Sequence, residues 1–308
     1  MMNETPRGGK ALMTSTEKRT IRALVRGAYD IQKLRIQMGN RMAGNFRAKL
    51  GQKPGETAEQ MKKEAKKLLK DLLQRFRLLA DAVALHSPKE LMAAFVGDEV
   101  ISSYTEFALI QQYVMLRGVE ADHFKRLGVV IEPQPIWTQF LAGVKGIGPA
   151  MAGVLISEID IARAAYPSSL WKYSGLDVAD DGRGRSRRKE HLVQRTYTDA
   201  DGAEQVRDSI TFNPWLKTKL VGVLGPCLIK AKNETYDPIF RDYKHRLEHH
   251  AIYKDVSKGH RQNMAVRHMV KMFLRDLYCA WRPLEGLRVA PSYAEAKLGR
   301  VHRQAAAG

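Results

Sequence analysis

FLAGVKGIGPAMAGVLISEI, residues 140–159, decides how the second half of the chain is read. Apolar residues recur at helical spacing on both sides of Lys145-Gly146-Ile147-Gly148-Pro149. The pattern predicts two helical segments, Ile136–Val144 and Ala150–Ile159, joined by a tight turn in the form of a helix-hairpin-helix. Glycine adopts positive φ without steric cost, and its missing side chain lets backbone N–H groups come close to a phosphate. Pro149 suits the first position of the second helix, whose N-terminal dipole favours an anion. Lys145 stands at the lip of the turn, and Ala150, Ala152 and Gly153 allow close helix packing. Lys145, Gly146, Ile147 and Gly148 are therefore the first expected DNA contacts, to backbone phosphates rather than bases. The competing reading is a tight helix–helix turn that binds nothing.

Working outward, Ser168–Tyr173 predicts a short helix, followed by Ser174-Gly175-Leu176 and then the basic run DGRGRSRRK, Asp181–Lys189. Arg183, Arg185, Arg187, Arg188 and Lys189 crowd this segment. On a flexible glycine-containing loop their guanidinium forks would suit phosphate, so they are also expected DNA contacts. Asp177, Asp180 and Asp181 beside them read as pairing partners. His191–Thr198 and Gln205–Thr211 alternate polar and apolar residues around Asp199-Ala200-Asp201-Gly202, the signature of a β-hairpin. Asn213-Pro214 and Asp237-Pro238 each read as an N-cap followed by a first-turn proline. A closing helix, Gln262–Trp281, is expected to bury Val266, Val270, Phe273, Leu277 and Trp281. Its opposite face would expose Arg267, Lys271 and Arg275, which join the expected DNA contacts.

Upstream, Thr16–Phe46 is helical in pattern behind a leader of about fifteen residues, and Gly51–Thr57 (GQKPGET) breaks the pattern. Ala58–Leu85 follows with an apolar stripe through Leu68, Leu72, Phe76 and Leu79. That stripe reads equally as a coiled-coil seam or as a helix of an ordinary bundle, and a homo-oligomer joined through this helix is expected. A third helix, Pro88–Arg126, is expected to break near Gly97, and Gly128–Pro135 reads as a linker. The resulting divisions are 1–57, 58–135, 136–286 and a tail, 287–308. The fold class is mainly α: an N-terminal helical or coiled-coil region, then a helix-hairpin-helix domain with a small β-hairpin.

Charge separates the function classes. The chain of 308 residues carries 51 Lys and Arg against 33 Asp and Glu, a net +18. Residues 1–57 and 136–308 hold the whole excess, while 58–135 balance to zero. Two basic segments around a neutral one point to a polyanionic partner. No stretch reaches the roughly 18 uninterrupted apolar residues of a membrane helix, and no secretory signal precedes the first helix. Cys227 and Cys279 lack metal-ligand spacing and read as small core residues of a cytoplasmic protein. His245 and His249 lie four apart, which can hold a metal on one helix face, but no HExxH glutamate or cysteine accompanies them. No metal, cofactor or P-loop is expected.

From Val144 to Asp160 (VKGIGPAMAGVLISEID) and from Pro167 to Asp177 (PSSLWKYSGLD) the chain resembles the C-terminal domain of the bridge-RNA-guided serine transposases of insertion sequences. The likeness continues in layout to Trp281. It implies DNA as partner, with a structured guide RNA beside it, a role in transposition or recombination of a mobile element, and a catalytic serine at Ser186. The family joins this domain through a coiled coil to a RuvC-like nuclease fold with four carboxylates. Residues 1–135 show neither a strand pattern nor an acidic tetrad, and the loop lacks the family's Ser-Gly and KRGN strings. No base for Ser186 can be placed from the sequence, although Glu190 and His191 stand near it in the chain. The expected activity is therefore DNA binding. The rivals are an active transposase or recombinase using Ser186, and a non-enzymatic RNA-binding or nucleoid-type protein.

Overall fold

A computed structural model describes residues 14–47, 58–83 and 87–291. The expected leader up to residue 13, the Gly51–Thr57 break and the tail beyond residue 291 lie outside the described residues. The fold is mainly helical, with one two-stranded antiparallel hairpin. Among the described residues no helix is long and apolar enough to cross a membrane. The chain divides into two compact units, residues 23–126 and residues 1–22 with 127–308.

The unit of residues 23–126 holds α1 (Ser15–Phe46) from Ala23 onward, α2 (Ala58–Val83), α3 (Pro88–Ala94) and α4 (Tyr104–Ile131) as far as Arg126. Met42 and Phe46 of α1, Leu68, Leu72 and Phe76 of α2, and Phe107, Ile110 and Tyr113 of α4 close one core. Phe76 and Phe107 stack at 4.8 Å between centroids. The stripe expected to seek a partner chain is thus covered within the unit, with Leu72 fully buried and Leu79 packed on the same cluster. The bundle reading of α2 holds, because near-heptad spacing serves an intramolecular seam as well as an intermolecular one. The expected break at Gly97 is present between α3 and α4. A Cβ there would sit 2.1 Å from the Ile101 carbonyl oxygen, so only glycine fits. Glu120 of α4 is buried and accepts hydrogen bonds from Arg35 and from Gln32 Nε2 (2.9 Å).

The other unit contains α5 (Pro135–Gln139), a 3-10 turn Leu141–Gly143, α6 (Pro149–Glu158), α7 (Pro167–Tyr173), β1 (Val193–Thr198) and β2 (Glu204–Ser209). There follow α8 (Pro214–Lys219), a wide π turn Leu220–Leu224, α9 (Gly225–Lys230), α10 (Tyr236–His249) and α11 (Lys258–Leu284). The first half of the segment expected as a linker is the end of α4, which runs to Ile131. α11 is the hub: it packs on α10, α7, α5 and α9, and all five residues expected to face the core are buried. It starts earlier than its periodicity suggests because Ser257 Oγ caps it, accepting the His260 N–H at 3.3 Å. α10 likewise starts at Tyr236, one residue before the expected cap. Asn233 Oδ1 accepts the Thr235 and Tyr236 N–H groups, and Asp237 pairs with Arg241 inside the first turn.

Candidate nucleic-acid interface

The segment Asp177–Lys189 is a built turn, not the flexible loop its glycines suggested. The Ala179 N–H donates to Arg183 O, Arg185 N–H to Asp177 O, and Gly182 takes φ +73° between them. Val178 and Gly184 form an antiparallel bridge. Upstream, Gly175 holds φ +65° with Phe212 packed where a Cβ would stand, 2.5 Å from the ring, so the Ser-Gly-Leu turn requires glycine. Downstream, the Arg267 guanidinium of α11 lies against Gly184 and donates to the carbonyls of Gly175 (3.2 Å) and Asp177 (3.4 Å). Lys217 of α8 donates from Nζ to the Arg185 carbonyl. Two helices therefore clamp the turn through cations.

Those cations form a cluster with one carboxylate. Arg185 pairs with Asp177 at 2.7 Å, and Lys217, Arg267 and Lys271 share the field of the same carboxylate. Burial, then repulsion from Arg267, pushes the Lys217 ammonium down to about 8. The same two causes hold Lys271 below the ordinary lysine range, and burial lowers Arg267. Lys271 also sits 5.6 Å over the Trp171 ring, whose Nε1 donates to the Lys271 carbonyl at 2.9 Å. Four half-buried cations against one anion leave about three charges unneutralised in a partly desolvated place, an arrangement that favours an incoming anion. Asp177 Oδ1 is buried and without a hydrogen bond among the described residues, so it asks for a donor rather than for the anion.

Ser186 lies on the outer part of this turn. Its backbone N–H donates to His191 Nδ1 at 2.9 Å, and its Oγ lies 3.0 Å from the same nitrogen. His191 Nε2 is 3.1 Å from Asp181 Oδ2. Because a backbone N–H can only donate, Nδ1 must accept, so the neutral ring carries its proton on Nε2 and gives it to Asp181. The Arg183 N–H, then His191, hold the Asp181 carboxyl below the usual carboxylate range. The Arg188 N–H reaches Ser186 Oγ at 3.3 Å. A hydroxyl, an accepting imidazole nitrogen and an orienting carboxylate are the parts that nucleophile activation needs. His191 itself is buried, with only 3% of its surface exposed.

The expected contacts separate into groups. Arg183, Arg187, Arg188 and Lys189 are exposed on the turn, whereas Arg185 points inward to Asp177. Arg267 and Lys271 belong to the cluster and are half-buried rather than solvated. Arg275 departs from the expectation too, being half-buried and paired with Asp276 at 2.8 Å. Cations alternating with core residues suggest a solvated face, but α7 covers it at Lys271 and the turn covers it at Arg267. Lys217 was missed: PWLKTK shows nothing but a short helix. Asp181, expected to pair with the arginines, pairs instead with His191, and the sequence puts His191 near Ser186 without showing their contact, which depends on how the turn folds back.

The turn Lys145–Gly148 is present, but the helix expected before it, Ile136–Val144, is broken at Phe140 into α5 and the 3-10 turn Leu141–Gly143. Gly146 takes φ +105° and packs against α9, where a Cβ would meet the Cys227 carbonyl oxygen at 3.0 Å. Gly148 is extended (φ −108°, ψ 174°) with open space beside it, so it is not a positive-φ residue. Ile147 is buried, Lys145 and Gly148 are exposed, and Asn233 Nδ2 donates to Lys145 O at 2.9 Å. Cys227 is exposed rather than a core thiol. The rings of His245 and His249 lie 4.2 Å apart, yet the described residues contain no group of three side chains able to hold a metal ion. A scan against protein-family models and a search of curated proteins return no match for the chain.

Proposed function

We propose that this protein binds the phosphate backbone of DNA through the Asp177–Lys189 turn and the cations beneath it, within the transposition or recombination setting that the resemblance implies. The observation that carries the reading is the half-buried cluster of Arg185, Lys217, Arg267 and Lys271 around Asp177 alone. Half-buried cations in excess of the one carboxylate beside them raise the energy of the free protein, and a phosphate laid on the cluster offsets that cost. The exposed Arg183, Arg187, Arg188 and Lys189 extend the positive surface outward from it. Lys145 and Gly148, exposed just before α6, offer a second place for a phosphate.

Fluorescence anisotropy with a labelled duplex across 50–200 mM salt tests the reading. If six to ten basic side chains contact phosphates, affinity falls by roughly 10³ to 10⁵ over that range. Arg187→Ala with Arg188→Ala lowers affinity and flattens the slope. Salt-independent binding, or no binding, refutes the reading. A structured RNA that outcompetes the duplex at equal charge would favour the guide-RNA or nucleoid alternative.

A second reading, strand transfer by an active serine transposase or recombinase, is favoured by the contact of Ser186 with His191 and of His191 with Asp181. In it the Ser186 hydroxyl displaces the Ser186 N–H as donor to His191 Nδ1, which takes the hydroxyl proton as Oγ bonds to phosphorus. The scissile P–O bond breaks, the leaving sugar oxygen takes up a proton from solvent, and the cations neutralise the developing charge. A covalent protein–DNA adduct that forms with the wild type and is absent from Ser186→Ala would establish it.

A further inference from the structure

The hairpin β1–β2 is exposed on both faces, with Ser209 its one half-covered residue. A two-stranded ribbon with no layer packed on it buries little apolar surface and is marginal on stability grounds alone. Its register, Val193 opposite Ser209 through Thr198 opposite Glu204, sorts the side chains into two unlike faces. One face carries Arg195, Arg207, Tyr197 and Gln205. The other carries Glu204 and Asp208 with Thr196 and Val206.

On the first face Arg195 and Arg207 are direct cross-strand partners. Like charges at opposed positions destabilise a ribbon, and among the described residues neither arginine makes an ion pair. The Arg207 guanidinium lies 4.7 Å over the Tyr197 ring, which holds it upright without neutralising it. Both strands of the ribbon join the candidate interface at its base, where Val193 pairs with Ser209. β1 leaves His191, which touches Ser186, and β2 leads through Phe212 into α8 with Lys217.

We propose that this hairpin reads duplex DNA, its Arg195–Arg207–Tyr197–Gln205 face entering the major groove while the Asp177–Lys189 turn holds the adjoining backbone. The inference rests on the DNA-binding reading above and adds base recognition to it. The major groove, about 12 Å wide, admits a two-stranded ribbon whose strands lie about 4.8 Å apart. Arginine matches the O6 and N7 edge of guanine, and glutamine the N6 and N7 edge of adenine. The acidic face points away from the duplex and sets which side enters. The deep, narrow major groove of A-form RNA excludes such a ribbon.

The test is selection from a randomised duplex library with the full chain, in wild type, in Arg195→Ala with Arg207→Ala, and in Glu204→Gln with Asp208→Asn. The wild type should enrich a short motif. The arginine variant should lose the enrichment and about 10- to 100-fold of affinity for the best site, with random-duplex affinity changed only a few-fold. The acidic-face variant should keep the motif. Thermal melting checks that both variants fold, as exposed positions on an exposed ribbon should allow. A wild type that binds duplexes without any sequence preference overturns the inference and leaves backbone binding standing. So does an arginine variant that enriches the wild-type motif undiminished, or a structured RNA bound more tightly than the selected duplex through the same two arginines. A wild type that binds no duplex removes the DNA-binding reading and the inference together.

Discussion

Lys217 gives the candidate interface a proton count. In an unfolded chain its ammonium titrates near 10.4, and in the folded protein burial and Arg267 bring it down to about 8. The sign follows directly. The charged form is disfavoured by folding, so below pH 8 the folded state bears a penalty that is relieved as the pH rises from about 8 to above 10. Stability should rise across that window, by at most about 1.4 kcal/mol per pH unit for one proton. The side chain is only half-buried, so solvent screening reduces the total to about 1–2 kcal/mol. A phosphate on the cluster reverses the shift, because it favours the ammonium. Binding above pH 8 therefore takes up a proton, and affinity should weaken by up to about tenfold per pH unit. Anisotropy titrations at constant ionic strength from pH 7 to 9.5 measure this. Lys217→Met should bind more weakly at pH 7 with a shallower pH slope. Lys217→Arg, charged throughout, should bind tightly with the same shallow slope. Lys271, also held below its ordinary value, supplies the residual slope in both. Identical pH slopes in wild type and Lys217→Met would refute the argument.

Gly146→Val should cost about 1–3 kcal/mol in chemical denaturation, from positive φ and contact with the Cys227 carbonyl. Gly148→Ala, extended and open, should be nearly neutral to folding, so any loss of DNA affinity there reports the ligand. Leu72→Ala should destabilise by about 2–5 kcal/mol as a cavity in the core of residues 23–126. An oligomer that dissociates without loss of stability on that change would contradict the burial. If Ser186 forms a DNA adduct, His191→Gln and Asp181→Asn should slow its formation by roughly 10²–10⁴-fold, read by denaturing gel, with duplex affinity changed little. Unslowed adducts would remove His191 as base.

Helices and their faces were legible wherever the apolar period was long. α11 shows this best, with Val266, Val270, Phe273, Leu277 and Trp281 all buried as expected. The break at Gly97 and the β-hairpin were legible for a different reason, since each is written in local backbone chemistry. What covers a helix was not legible. Leu68, Leu72 and Phe76 make the same stripe whether α1 and α4 or a second chain lies on it. Arg267 and Lys271 look solvated until the turn folds over them. Gly148 misled because the positive φ fell on Gly146 alone, a choice made by contact with α9 rather than by the Gly-Ile-Gly string. Lys217 escaped, as did the contact of Asp181 with His191, because both depend on neighbours brought in by the fold of one turn.

That turn has one more consequence. Asp181, Ser186 and His191 all come from a single short segment, whereas constellations of this kind are commonly assembled from distant parts of a chain. Loop closure over so few residues costs little entropy, so the three side chains can meet as soon as the Val178–Gly184 bridge and the Arg185–Asp177 contact form. Their geometry is then insensitive to mutations in α1, α2 or α4, and acutely sensitive to any insertion or deletion between residues 181 and 191. Amide exchange at Arg183, Arg185 and Ser186, each hydrogen-bonded inside the segment, would report its order separately from the helices. A drift in length at this one place, with the helices unchanged, would be enough to turn such a constellation on or off.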